Sequence, residues 1–168
     1  MLEMISREKA IQFYQHAQNL ADIFSKDPSV KVGALLLAPD SLQILSSGYN
    51  GFPRGIDEKK SSRWKNPTKY IYVEHAERNC IYNAARQGTP LEGSIAITTF
   101  FPCYDCARAL IQVGVKTVVS SVGQSVKPKW YSIWAESNKL FKEAGVNVIK
   151  LKKEEINKKI DVTIKFDE

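Results

Sequence analysis

EHAERNCIYNAARQGTPLEGSIAITTFFPCYDCARALIQVGVKTVVSS, residues 74–121, is the stretch that sets the fold class. From Glu74 to Arg86 the apolar positions Ala76, Cys80, Ile81, Ala84 and Ala85 recur at helical spacing, and Gly88 and Pro90 stop the run. Ile95 to Phe101 is β-rich and leads into Pro102. Helical character returns from Cys103 to Val113, ends at Gly114, and gives way to the strand-like Lys116 to Ser121. Strands alternating with helices imply right-handed crossovers and a layered sheet with helices on both faces.

Working outward, a helix from about Trp130 to Ala144 and a strand from Val146 to Leu151 continue the alternation. Upstream, Ala10, Ile11, Phe13, Tyr14, Ala17, Leu20, Ala21 and Phe24 form the stripe of an amphipathic helix over Ser6 to Phe24, opened by a serine cap and ended by Lys26-Asp27-Pro28-Ser29. Val32 to Leu37 and Ile44 to Tyr49, separated by Pro39-Asp40-Ser41, read as a β-hairpin that closes at Gly48-Tyr49-Asn50-Gly51 and adds antiparallel pairing. Residues 51 to 70 carry Gly, Pro and charges without period, a long loop of the kind that in compact domains tends to be functional. The alternation of Val162, Ile164 and Phe166 fits an edge strand or a frayed tail equally.

The 168 residues, 43% hydrophobic, suit one domain with one core. The expected boundaries are 1–168 for the domain, about 5–151 for its core and 152–168 for a C-terminal extension. No run has signal-peptide or membrane-spanning character, so a cytoplasmic protein without membrane association is expected. The net charge of +6 would suit nucleotide phosphates or a nucleic-acid backbone, and the basic Lys150 to Lys165 segment reads as solvated surface. Cys80, Cys103 and Cys106 are the only cysteines, an odd number that points to ligation rather than a disulfide framework.

His75-Ala76-Glu77 precedes Pro102-Cys103-Tyr104-Asp105-Cys106, with 28 positions from His75 to Cys103. Alone, C-x-x-C is equally a redox motif or half of a zinc ribbon, and one histidine is most often structural. Together the two segments resemble the H-x-E then P-C-x-x-C signature of zinc deaminases. Cys80, five residues after His75, would lie about 140° round a helix from it, and reads as a small core residue. His16 belongs to the first helix. Three ligands, His75, Cys103 and Cys106, leave a fourth position for water, the mark of a catalytic zinc. Pro102 puts the cysteines at a helix start, where i and i+3 share a face and free N–H groups favour thiolates. His75 and Glu77, about 200° apart on an ideal helix, converge only if His75 lies at or before the first helical residue.

Four segments in order, SKDPSVKVGA at 25–34, GYNGFPRG at 48–55, EHAERNCIYNAARQG at 74–88 and FPCYDCARALIQVGV at 101–115, resemble the deoxycytidylate (dCMP) deaminases. The resemblance implies a cytidine-deaminase-like α/β fold, a three-layer α/β/α arrangement with a mixed sheet of about five strands. It also implies hydrolysis of dCMP to dUMP and ammonia, one catalytic Zn2+, and a homo-oligomer, often a hexamer. Activation by dCTP and inhibition by dTTP belong to the same set of expectations. By position, Glu77 becomes the proton shuttle. The Phe101 carbonyl would accept from the amine, and backbone N–H groups near Ala76 and Cys103 would line the pyrimidine. Ser29 and Asn50 match positions that meet sugar and phosphate. Tyr49, Asn50, Gly51, Phe52 and Arg54 match the region that binds a regulatory triphosphate, with Mg2+ as its companion ion; a glycine-bearing turn backed by arginine suits phosphates, although the same turn is also what a hairpin exit requires.

One departure concerns the loop after 116–121, which reads Val122-Gly123-Gln124-Ser125 where relatives carry a phosphate-holding tyrosine. Gln124 or Ser125, or else Lys127 or Lys129, takes over that contact, or the substrate carries a different number of phosphates. The other readings are a deaminase acting on dCTP, a free nucleoside or a base in RNA or single-stranded DNA, and a non-enzymatic structural zinc module. The 48–70 arrangement argues against nucleic acid as partner.

Overall fold

The computed structural model describes residues 4–122 and 128–157. Its order is α1 (Arg7–Phe24), β1 (Gly33–Leu37), β2 (Ile44–Tyr49), a 3₁₀ turn (Ser61–Trp64), α2 (Lys69–Tyr72), α3 (Ala76–Gln87), β3 (Ile95–Thr98), α4 (Tyr104–Gln112), β4 (Thr117–Val122), α5 (Pro128–Glu143), β5 (Asn147–Lys152) and α6 (Lys153–Ile156). The five strands form one mixed sheet in the order β2-β1-β3-β4-β5. β1 runs antiparallel to both neighbours, and β3, β4 and β5 are parallel.

Strand side chains alternate between faces, and each face has its own core. Leu35, Leu37, Ile95, Ile97, Val119, Ile149 and Leu151 pack against Ala10, Tyr14 and Ala17 of α1. Ala34, Leu36, Ala96 and Val118 pack against α3, α4 and Phe141 of α5. The three-layer α/β/α architecture expected from the sequence is therefore present. α1 buries Ala10, Tyr14, Ala17 and Ala21, one residue per turn, and the side chain of its cap Ser6 accepts from the N–H of Lys9. The small residues let α1 lie close on the sheet: a Cβ on Gly33 would sit 2.0 Å from the carbonyl oxygen of Ala17.

Three elements differ from the sequence reading. The segment 51–70 is not a plain loop, because it folds around its own aromatic centre. Phe52 stacks on Trp64 at 4.2 Å between ring centres and meets Tyr72 at 5.6 Å, and Trp64 Nε1 donates to the Glu58 carbonyl at 2.9 Å. β3 stops at Thr98, three residues early, because Phe100 and Phe101 leave the strand to pack on Trp130, Trp134 and Phe141 of α5. The chain after Leu151 does not leave the domain at once: Arg7 pairs with Glu155, and Gln15 Nε2 donates to the Ile156 carbonyl at 3.0 Å, fastening α6 to α1. Val162, Ile164 and Phe166 lie outside the described residues. No helix among the described residues is long and apolar enough to cross a membrane.

At the exposed edge of β2, side chains of α3 cover backbone acceptors. Asn79 Nδ2 donates to the Tyr49 carbonyl at 2.9 Å and Asn83 Nδ2 to the Ser47 carbonyl at 2.8 Å. The α1–β1 contact yields a direct expectation. Gly33→Ala must push α1 off the sheet, costing about 2 kcal/mol as an overpacked core contact does, and thermal unfolding should show a melting temperature lower by roughly 5 °C.

Candidate active site

Two helices begin at the same place. His75 is the N-cap of α3, with φ −75° and ψ 152°, and Cys103 is the N-cap of α4, with φ −70° and ψ 168°. Both residues are extended, so His75 lies one position before the helix that carries Glu77. This meets the geometric condition for the two side chains to converge. Cys106 occupies the first turn of α4 and faces the same point.

The distances fit a tetrahedral ion. His75 Nδ1 lies 3.6 Å from Cys103 Sγ and 3.4 Å from Cys106 Sγ, and the three donor atoms all fall within 4.8 Å of one another. Zinc bonds of the usual length at tetrahedral angles separate N and S ligands by about 3.6 Å and two S ligands by about 3.8 Å. The donor set, two sulfurs and an imidazole, is also what zinc selects. Among the described residues it is the one group of three or more such side chains close enough to hold an ion, so they offer no second cluster for the Mg2+ expected beside a triphosphate. Cys80 is fully buried in the core, its thiol pushed up to about 12 by burial.

The electrostatics show what the cluster requires. Cys103 is held at about 3, first by the hydrogen bond from the Cys106 thiol, against burial, and with help from His75. Cys106 moves the other way, because it donates to Cys103 and is buried beside Glu77. Opposite shifts on two sulfurs in contact mark a site that a divalent cation suits, because it binds both as thiolates. Glu77 is 4% exposed, and burial raises its carboxyl above the ordinary range while His75 pulls it back. A buried carboxyl that holds its proton more tightly than an exposed one suits proton transfer in both directions.

Arg78 is a site residue that the sequence reading did not single out. Its Nη1 donates to Cys106 Sγ at 3.9 Å, and its Nε donates to Glu74 Oε1 at 2.6 Å. Its place one residue after Glu77 was the available signal, since a position in the first turn of α3 shares the neighbourhood of the metal ligands.

The structure also places the other candidate residues. Ala76, fully buried, opens α3, whose first N–H groups lack helical partners. Phe101 sends its ring under α5, where Trp134 lies 6.0 Å away. Gly48 explains part of GYNG by close approach rather than by a turn: a Cβ there would lie 2.5 Å from both the Ala76 carbonyl oxygen and the Cys80 nitrogen. Asn50 is buried and fully occupied. Its Nδ2 donates to Asp27 Oδ2 at 3.0 Å and the Val30 carbonyl at 2.8 Å, while its Oδ1 accepts from Val32 N at 2.9 Å and Ser25 Oγ at 2.7 Å. Ser29 Oγ donates to Asp27 Oδ1 at 2.8 Å and accepts from Lys69 Nζ at 2.6 Å. Gly51 pairs with Glu74, and Phe52 is buried under Trp64. Tyr49 is partly exposed and stacks on Phe24, and Arg54 Nη2 donates to Asn83 Oδ1 at 2.6 Å. Gln124, Ser125 and Lys127 lie outside the described residues, as does the side chain of Lys129.

A mixed five-stranded sheet flanked by helices, with three donors at zinc spacing beside a buried carboxyl, has the features of a zinc-binding α/β domain. The model of the cytidine and deoxycytidylate deaminase zinc-binding region matches residues 7–122. A probable deoxycytidylate deaminase of Drosophila melanogaster is 36% identical over 154 residues, covering 85% of this chain and 70% of that protein. The human deoxycytidylate deaminase is 38% identical over 100 residues, 56% of this chain and 54% of that one. The dCMP deaminase of cyanophage S-TIM5, crystallised with dCMP and dUMP, superposes with a TM-score of 0.70 at 27% identity, covering 88% of this chain and 99% of its own. The chain belongs to the cytidine and deoxycytidylate deaminase family.

Asp27 ties together the segment between α1 and β1, the end of β2 and the start of α2. Burial opposes its ionisation, but Lys69, Ser29 and Val30 outweigh burial and hold its carboxyl below the ordinary value. The pair therefore contributes stability above about pH 4, where the unfolded carboxyl is ionised, and loses it as pH falls through the lower folded value. Lys69→Met should cost about 3 kcal/mol at neutral pH, since it leaves a buried charge unpaired. Urea unfolding at a series of pH values should show that deficit narrowing on acidification.

Proposed function

We propose that the protein catalyses the hydrolytic deamination of dCMP to dUMP and ammonia, with one zinc ion held by His75, Cys103 and Cys106. The observation that carries this reading is the meeting of a buried carboxylate, Glu77, with a three-donor cluster of zinc dimensions at two helix starts. The likeness to the S-TIM5 enzyme, solved with dCMP and dUMP, supports the choice of substrate. When bound, zinc lowers the pKa of a water and so supplies a nucleophile at neutral pH.

The protein's own groups do the rest. Glu77 takes a proton from the attacking water and carries it to N3 of the cytosine ring; it then takes the second proton, from the hydroxyl now on C4, and gives it to the amine, so that the C4–N bond breaks with loss of ammonia and the C4 carbonyl forms. The Phe101 carbonyl accepts from that amine, and the free N–H groups of the first turns beside Ala76 and Cys103 orient the ring. Ser29 and Asn50 shape the wall that meets sugar and phosphate. Since their side chains already have partners, they act first by positioning that wall.

Regulation by dCTP as activator and dTTP as inhibitor, in a homo-oligomer of hexamer type, completes the proposal. The exposed part of the proposed effector region is Tyr49 and Arg54; Asn50, Gly51 and Phe52 support it from beneath.

Glu77→Gln should bind zinc stoichiometrically while its turnover of dCMP, followed by ammonia release, falls at least about 100-fold. Full activity in that variant would remove Glu77 from the mechanism. A panel of dCMP, dCTP, deoxycytidine and a cytosine-containing oligonucleotide, with and without dTTP, tests the substrate; turnover of the oligonucleotide alone would overturn it.

A further inference from the structure

Glu74 stands immediately before the metal-binding histidine and takes no part in the chemistry above. Its Oε1 nevertheless accepts three donors: the N–H of His75 at 3.0 Å, Arg78 Nε at 2.6 Å, and Arg78 Nη2. The far end of the same guanidinium, Nη1, donates to Cys106 Sγ at 3.9 Å. One carboxylate oxygen therefore touches the backbone of one metal ligand and, through a single arginine, the sulfur of another. Both side chains are largely buried, with 21% of Glu74 and 23% of Arg78 exposed, so the contacts are only partly weakened by water.

The charge balance of the site makes this arrangement consequential. Two thiolates neutralise a divalent ion, and Glu77 adds a further acidic group in the same buried space. Arg78 supplies the compensating positive charge beside Cys106. An arginine side chain has several rotatable bonds and loses rotamer entropy on being held, so without an anchor it would divide its time between sulfur and solvent. Glu74 holds two of its nitrogens and leaves the third directed at the sulfur. The Glu74 backbone is fixed separately, by N–H donation to the Gly51 carbonyl at 2.8 Å and acceptance from Gly51 N at 3.2 Å. Removing the side chain leaves that pairing in place.

We propose that Glu74 is a positioning residue for the metal: by orienting Arg78 on Cys106 and fixing His75, it sets how firmly the ion is retained. This rests on the zinc reading above. Partners in this outer position commonly govern metal affinity by 10- to 100-fold.

The test is the rate of zinc release from the purified full-length protein to a chromogenic chelator. Wild type is compared with Glu74→Ala, Glu74→Gln, Arg78→Met and the Glu74→Ala/Arg78→Met double variant. Glu74→Ala and Arg78→Met should each accelerate release by about tenfold or more. Glu74→Gln retains an acceptor oxygen without the charge and should fall between wild type and Glu74→Ala. Because the two residues act as one unit, the double variant should release zinc within about threefold of the faster single variant, not at the product of the two effects. Release from Glu74→Ala at the wild-type rate, or a multiplicative double variant, overturns the proposal. A wild-type protein that binds no zinc overturns the zinc reading, and this one with it.

Discussion

The site depends on a break in backbone conformation between His75 and Ala76. On a continuous helix, His75 and Glu77 would point about 200° apart and could not share a water molecule. Holding His75 extended at the N-cap, with ψ 152°, removes that conflict. The break is enforced from several sides. Gly51 pairs with Glu74 just upstream, and Gly48 lets the first turn of α3 lie directly against β2, where any side chain would collide with the Ala76 carbonyl. α4 repeats the device, with Cys103 extended at its cap. Two helix starts, each preceded by an extended ligand, thus bring three donors and an acid together at one end of the sheet.

Concentrating acidic groups in a buried place creates a problem of charge, and the surrounding residues divide its solution. A divalent ion held by the cluster would answer the two sulfurs. The N–H groups of the helix starts, which lack helical partners, favour negative charge there, and Arg78 answers from the side of Cys106. Next to the site, Asp27 and Lys69 form a second buried pair that serves architecture instead. Together with Asn50 and Ser29, they fasten the entry to β1, the exit from β2 and the start of α2.

Much of this was legible in the chain. α1, α3 and α4 carry clear helical periods with caps at their ends, the hairpin has its turn residues, and the spacing of the two motifs picked out His75, Cys103 and Cys106, which the fold brings together, and Glu77, which it buries. What escaped depends on contacts distant in sequence. The segment around Phe52, Trp64 and Tyr72 has no period because its order comes from three rings meeting across the insertion. Phe100 and Phe101 have strand composition, yet aromatic partners on α5 draw them out of the ladder. Asp27 reads as part of a helix-terminating cluster, and only the fold reveals that Lys69, 42 positions later, neutralises it. In GYNG, the letters suggest a turn or a phosphate loop; the need for Gly48 is a helix passing within contact of the strand.

The pair Asn79 and Asn83 has a bearing on solubility. An outer strand normally offers a row of open carbonyls on which another chain can build. Here α3 reaches over and occupies those of Ser47 and Tyr49 with side-chain amides. The edge of β2 is thereby closed to strand addition along that length.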